Sequence, residues 1–229
     1  MLYVLGIILI ALAPCAFWLW LTYRGDKYAP EPKWLIIRTF LMGMAIAIPV
    51  SIIETLLYPG AIDSSMGIAA ALYVSFIVAG VTEEVGKFLV VRRGIYNNPH
   101  FEEPSDGLVY TAAAALGLAF LENVFYLLSF GWEIILIRGM FSNLAHVLFS
   151  ILWGYPLALS KLGIIKHRSV VWLGLVGAIL AHGIFDFLLF IPSAFSFLLI
   201  PFFAGMVAAF ILMMRHANRI SIYAVGKEE

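Results

Sequence analysis

Seven runs of mostly apolar residues, at roughly 2–22, 34–57, 67–91, 108–130, 136–160, 169–191 and 194–214, leave this chain little choice of fold. Each is long enough to cross a hydrocarbon layer of about 30 Å as an α-helix. In lipid, every backbone N–H and C=O must be satisfied inside the protein, which restricts spanning segments to helices and closed barrels. Composition agrees, since 63% of the 229 residues are hydrophobic and 12% are charged, against about 25% charged in a soluble domain. The expectation is an all-α, polytopic membrane helix bundle with about seven transmembrane helices, forming a single membrane domain over 1–229. The first run has no basic residue ahead of it, and Pro14 precedes Cys15 where a lipoprotein cleavage site needs a small residue. It reads as a retained helix and not as a signal peptide.

Lysine and arginine then orient the bundle. The segments after spans one, three, five and seven carry Arg24, Lys27 and Lys33; Arg92 and Arg93; Lys161, Lys166 and Arg168; and Arg215, Arg219 and Lys227. The alternate segments hold only Arg138. Basic residues of short loops stay on the cytoplasmic side, so a multi-pass protein of the cell membrane is expected, N-terminus outside and C-terminus in the cytoplasm. Fourteen basic residues balance fourteen acidic ones. No global positive field therefore argues for nucleic acid as a partner, and the lipid bilayer is the partner that composition implies. The single cysteine, Cys15, excludes an intrachain disulfide and reads as apolar filling on the first helix. The longest polar interruption, Arg92 to Asp106, contains Asn97-Asn98-Pro99 and Glu102-Glu103-Pro104 and reads as turn chemistry in water.

Against this background a few polar side chains are costly. Glu83 and Glu84 are adjacent inside the third run, with Lys87 on the same run. A carboxylate at the bilayer centre costs about 2.5–3.5 kcal/mol on insertion scales, so two in succession need a protein-lined or watery pocket. Glu83 and Lys87 share a helical face, while Glu84 is turned about 100° away; either carboxylate could pair with the ammonium, but only Glu83 shares its face. The fourth run is built on small residues, Ala112 to Ala115, Gly117 and Ala119, which allow close helix approach. Glu122 and Asn123 follow on the same helix. The fifth run offers His146, and the sixth offers His182 with Asp186 one turn later, a spacing at which the carboxylate can fix the imidazole tautomer. At 1.5 Å of rise per residue, Glu83 comes out about 17 Å below the outer face, and Glu122, His146 and His182 about 12–15 Å below it. Four helices thus bring three glutamates and two histidines to one layer.

Such a layer supports more than one chemistry. Carboxylates beside imidazoles can activate water and stabilise an oxyanion, ligate zinc, or relay protons and cations. No serine sits beside a base in a nucleophile motif and nothing activates Cys15, so covalent catalysis is not expected. Three classes stay open on these residues: a hydrolase, an ion-coupled transporter using buried carboxylates, and a non-catalytic module that binds a partner helix. An echo between Leu144-Ala145-His146-Val147-Leu148-Phe149 and Leu180-Ala181-His182-Gly183-Ile184-Phe185, on helices of opposite direction, is the kind of feature inverted-repeat transporters show.

The runs Glu83-Glu84-Val85-Gly86-Lys87, Phe120-Leu121-Glu122-Asn123, His146 with Phe149, and His182-Gly183-Ile184-Phe185-Asp186 occur in this order on successive spans. Together they resemble the PrsW family of multi-pass bacterial membrane proteases. That family is distantly similar to the membrane proteases that process prenylated CAAX proteins and to bacteriocin-immunity proteins. The likeness covers about Gly80 to Phe187, and the Lys at the fifth position of the first motif favours PrsW over the CAAX-type relatives. It implies a glutamate-dependent intramembrane peptidase whose substrate is a single-span anti-sigma factor. That substrate would be cut on its extracytoplasmic side, as the first of successive steps in a stress response. Glu83, Glu84 and His182 match the family's catalytic positions, and Glu122 and His146 its further motif residues, with Lys87, Asn123 and Asp186 in support. On this reading one glutamate is the general base, while His182, with His146 or Asn123, stabilises the oxyanion. No cofactor is expected, but zinc or another divalent ion on Glu83 or Glu84, Glu122, His146 and His182 stays open.

The other polar groups read as structural. Glu54, one turn before Tyr58 and Pro59, is placed in water at the outer interface, and His100, His167 and His216 are placed in solvated cytoplasmic segments. Trp18, Trp20, Trp34, Trp132 and Trp172 sit near span ends as an aromatic belt.

Overall fold

Each apolar run folds as a helix. The computed structural model describes residues 2–60, 66–190 and 194–223, with the backbone alone at 2, 133–138 and 194–195. The helices are α1 (Leu2–Gly25), α2 (Lys33–Leu57), α3 (Ile68–Gly94), α4 (Pro104–Phe130), α5 (Glu133–Lys161), α6 (Ser169–Phe190) and α7 (Leu199–Arg219). Among the described residues, seven helices are long and apolar enough to cross a membrane, and there is no strand. Lys227 and Asp63 lie outside the described residues, as does the side chain of Arg138.

Small residues set the packing, as the fourth run led one to expect. A Cβ added at Gly117 would lie 2.0 Å from the Phe40 carbonyl oxygen, and one at Gly43 would lie 2.1 Å from that of Ala114. The backbones of α2 and α4 are therefore in direct contact, a closeness that only glycine permits. Residues 104–120 of α4 are buried, which makes this helix the axis of the bundle. A second close approach joins α3 to α6, where a Cβ on Gly183 would meet the Phe76 ring at 2.3 Å. Here α3 departs from α geometry. Residues Tyr73–Val81 are π-helical, and the α-helix resumes at Thr82, directly before the glutamate pair. Such π segments often accompany functional sites because the widened turn re-aims the side chains that follow.

The segment between α3 and α4 corrects the sequence reading. Asn97 to His100 form the expected exposed turn, but the far end does not, since Glu103 and Asp106 are buried and α4 begins at Pro104, four residues earlier than the apolar run. The reason is a capping box, in which the Glu103 and Asp106 side chains accept from each other's backbone N–H groups; Asp106 Oδ2 also accepts from Glu102 N at 2.6 Å. Phe101 is buried against the Tyr110 ring. The link between α1 and α2 folds over the same place, with Asp26 and Glu31 buried and the Tyr110 hydroxyl donating to Glu31. Burial first, and then the neighbouring Asp106 and Glu103 carboxylates, push Asp26 up to about 7. Burial likewise pushes Glu31 up to about 7, against the opposing hydrogen bonds from Asp106 and Tyr110.

The aromatic belt holds at Trp20, Trp34, Trp132 and Trp172, all exposed on the outside of the bundle. Trp18 is half-buried and donates to the Gly139 carbonyl at 3.0 Å.

Candidate functional site

The polar layer is one site. Five helices, α2 to α6, enclose a cavity of about 390 Å³ whose polar lining includes Glu54, Glu83, Glu122, Ser142, His146, His182 and Asp186. Its remaining wall, which includes Val74, Val78, Phe125, Tyr126, Phe130, Leu189 and Phe190, is apolar. The two histidine rings stand perpendicular with centroids 5.4 Å apart. Glu83, Glu84 and His182 lie within 3.1–3.8 Å of one another through His182, far closer than packing alone requires.

The adjacent glutamates are not equivalent. Glu83 lines the cavity, and its Oε2 is buried with no hydrogen bond of good geometry. Glu84 points the other way and is fully buried. It accepts from Lys87 Nζ at 2.8 Å, Ser150 Oγ at 2.8 Å, Trp153 Nε1 at 3.1 Å and His182 Nδ1 at 3.1 Å. One helix turn produces this split, because consecutive side chains diverge by about 100°. Lys87 reaches both carboxylates, Glu84 at 2.8 Å and Glu83 at 3.2 Å, since i,i+3 neighbours meet on a helix as readily as i,i+4 ones.

Each histidine has one nitrogen committed to a carboxylate and the other turned to Glu83. An ammonium only donates, so His146 Nδ1, 2.9 Å from Lys87 Nζ, is the acceptor; the ring proton then belongs to Nε2, which faces Glu122 Oε2 at 3.2 Å. His146 Nδ1 is also 3.4 Å from Glu83 Oε2. On His182, Glu84 takes the Nδ1 side, and Nε2 lies 3.8 Å from Glu83 Oε1 and 3.4 Å from Asp186 Oδ2. Orientation of His182 therefore falls to Glu84 as well as to Asp186. Carboxylates that fix the far nitrogen of an imidazole are the usual companions of metal-binding histidines. Glu83, His146 and His182 offer ligand atoms within 4.8 Å of one another. One carboxylate and two imidazoles form a common zinc donor set, with the Lys87 ammonium standing against two of the donor atoms, 3.2 Å from Glu83 Oε2 and 2.9 Å from His146 Nδ1. The residues fit a divalent ion.

Three sequence expectations meet a different geometry. Asn123 is turned away from the cavity, where its amide donates to Asn143 Oδ1 at 3.0 Å and approaches Cys15 Sγ at 3.7 Å. Its neighbour Glu122 faces the cavity because the two side chains point about 100° apart. Cys15 is more than filling, since it also accepts from Asn143 Nδ2 at 3.3 Å and so ties α1 to α5. Glu54 is not placed in water: it lines the cavity and accepts from Thr82 Oγ1 at 2.9 Å. No periodicity on α2 could show this, because it depends on α3 passing alongside.

Ser150 and Trp153 went unnoticed in the sequence, although a signal existed. They lie four and seven residues after His146, on the same helical face.

A multi-helix membrane protein that buries a carboxylate and imidazole centre able to hold a divalent ion is, by architecture and site together, of the intramembrane hydrolase class. The comparisons agree. Residues 31–214 match the family described as PrsW family intramembrane metalloprotease. The relative named Protease PrsW from Geobacillus kaustophilus (strain HTA426) is 34% identical over 167 residues, 73% of this chain and 72% of that protein. Its namesake from Oceanobacillus iheyensis is 31% identical over 218 residues, 95% of this chain and 99% of that one. The Bacillus subtilis (strain 168) protein of the same name is 32% identical over 182 residues, covering 79% and 81%. No solved structure matches the chain. This chain belongs to the PrsW family.

Proposed function

We propose that this chain hydrolyses a peptide bond in a single-span membrane protein, and that its substrate is an anti-sigma factor cut on the extracytoplasmic side. The observation that carries the reading is the convergence of Glu83, His146 and His182 on one cavity with an apolar wall. That wall suits the membrane segment of a substrate, while the polar groups suit an unwound peptide bond. The anti-sigma factor, the site-1 step and the extracytoplasmic side of cleavage rest on the family resemblance, while the distribution of lysine and arginine supports the orientation of the chain.

Glu83, His146 and His182 would hold a divalent ion, which when bound supplies Lewis acidity and an acidic water. Glu122 and Glu84 orient the two imidazoles through Nε2 of His146 and Nδ1 of His182. Glu84 also keeps Lys87, whose ammonium balances the carboxylates. With Glu84 holding His182, Asp186 on the cavity wall is placed to take a proton beside Nε2 and to return it to the leaving amine. The test is cleavage of a co-reconstituted single-span anti-sigma factor, run beside metal analysis of the purified protein. The wild type should cleave it, bind divalent metal, and lose both properties to a chelator; Glu83→Gln should bind less metal. Absence of cleavage, with ion uptake driven by a proton gradient instead, would overturn the reading.

A further inference from the structure

Away from the polar layer, a second cavity of about 180 Å³ opens between α3 and α6 at the end of the bundle where α3 stops and α6 starts. Phe88, Arg92 and Tyr96 line it from one side, Arg168, Val171 and Trp172 from another, and Leu157 and Ser160 of α5 complete it. Both arginines are exposed, and among the described residues neither makes an ion pair. Arg92 is stacked over the Tyr96 ring, its guanidinium carbon 4.1 Å from the centroid, which holds it at the mouth of the slot. Among the described residues, no acidic side chain lines the slot. Beyond it, α6 presents an exposed apolar strip: Trp172, Leu173 and Val176 are each more than half exposed.

Two unpaired guanidinium groups over an apolar slot, at the depth where two spans end, match the chemistry of one kind of molecule. We infer that this slot binds the phosphodiester head of an anionic membrane lipid, with Arg92 and Arg168 on the phosphate and an acyl chain along the Trp172 strip. A lipid brings both halves of that match together, while a soluble phosphate would use only the arginines. Occupancy bears on the polar layer, because the slot is lined by both the helix carrying Glu83, Glu84 and Lys87 and the helix carrying His182. Phe88 links the two places, with its ring 5.6 Å from Trp172 and 5.4 Å from Trp153, the residue that donates to Glu84. A head group in the slot therefore holds α3 and α6 at a set separation.

Trp172 provides the readout. The full chain is reconstituted in phosphatidylcholine bilayers containing a minor fraction of brominated phosphatidylglycerol, or in its place brominated phosphatidylcholine. The Trp172 contribution to quenching is obtained by subtracting the signal of Trp172→Phe. Two interfacial basic groups should favour the anionic lipid by about 10- to 30-fold in relative association. The preference should vanish in the double variant Arg92→Gln/Arg168→Gln, which keeps the fold because both side chains are exposed. Equal quenching by the two lipids overturns the inference, whatever the variants do. So does an undiminished preference in the double variant, or reversal of the preference by inorganic phosphate, which would make the ligand a soluble anion.

Discussion

Replacing either of two neighbouring glutamates by glutamine should damage this protein in opposite ways. Glu84 accepts hydrogen bonds from four donors on three helices and is fully buried. A glutamine there has one acceptor oxygen and turns an NH2 group towards the remaining donors, each of which costs about 1–3 kcal/mol if left unmet. It also strips Lys87 of the nearer of its two counter-charges, and breaking a buried pair costs about 3–5 kcal/mol. These losses overlap, so the larger is taken: Glu84→Gln should cost about 3–5 kcal/mol, a fall of roughly 6–20 °C in midpoint at about 2–4 °C per kcal/mol. Glu83 is different, since it faces the cavity and one of its oxygens makes no hydrogen bond. Glu83→Gln keeps the volume and gives up only the longer, 3.2 Å contact with Lys87, so it should melt much nearer wild type than Glu84→Gln, yet lose turnover by at least about 100-fold, the low end for removing a group that acts on the reacting atoms. Thermal unfolding in detergent, followed by size-exclusion fluorescence, gives the first quantity, and cleavage of a co-reconstituted single-span substrate gives the second. If Glu84→Gln melts like the wild type while Glu83→Gln carries the thermal loss, the division of labour drawn from the hydrogen bonds is refuted.

Further outcomes can be measured in the same system. Glu54→Gln should lower kcat/KM about 10- to 100-fold with little change in melting, the worth of a hydrogen bond to a charged group; unchanged turnover would return Glu54 to the role of bystander. Asp186→Asn should lose about 100-fold or more in turnover as the proton acceptor, whereas a loss under threefold would leave it only an orienting role. Asp26 and Glu31 are held near 7, well above ordinary carboxyl values. The folded state therefore binds more protons than the unfolded one between about pH 4 and 7, and stability should fall as pH rises through about 7. Asp26→Asn should flatten that decline in the melting midpoint, and a midpoint rising steadily from pH 6 to 8 would contradict it. Reporter fusions after Asp63 and Pro192 should read as external, and fusions after Pro99 and His167 as cytoplasmic; an external Pro99 fusion would invert the assigned side of cleavage.

The sequence by itself determined the helical fold and five of the side chains that meet at the site. Apolar runs of membrane length allow only helices here, because lipid offers backbone groups no partner. Charged side chains are so costly at that depth that Glu83, Glu84, Glu122, His146 and His182 stood out individually, and a constant rise per residue put them in one layer. The glycines and alanines of α4 likewise announced a close crossing, found where Gly117 meets Phe40. What only the tertiary structure decided is which way each polar group faces and what it touches. Glu54 reaches the cavity because α2 lies beside Thr82, and Asn123 leaves it because Cys15 and Asn143 wait on the other side. Glu83 and Glu84 part company because Ser150, Trp153 and His182 arrive from two other helices to claim the second of them. The physical reason is range. Insertion cost and helical rise are properties of one segment, whereas the partner of a buried carboxylate is fixed by the rotation of one helix against another, and these partners come from positions up to 98 residues away.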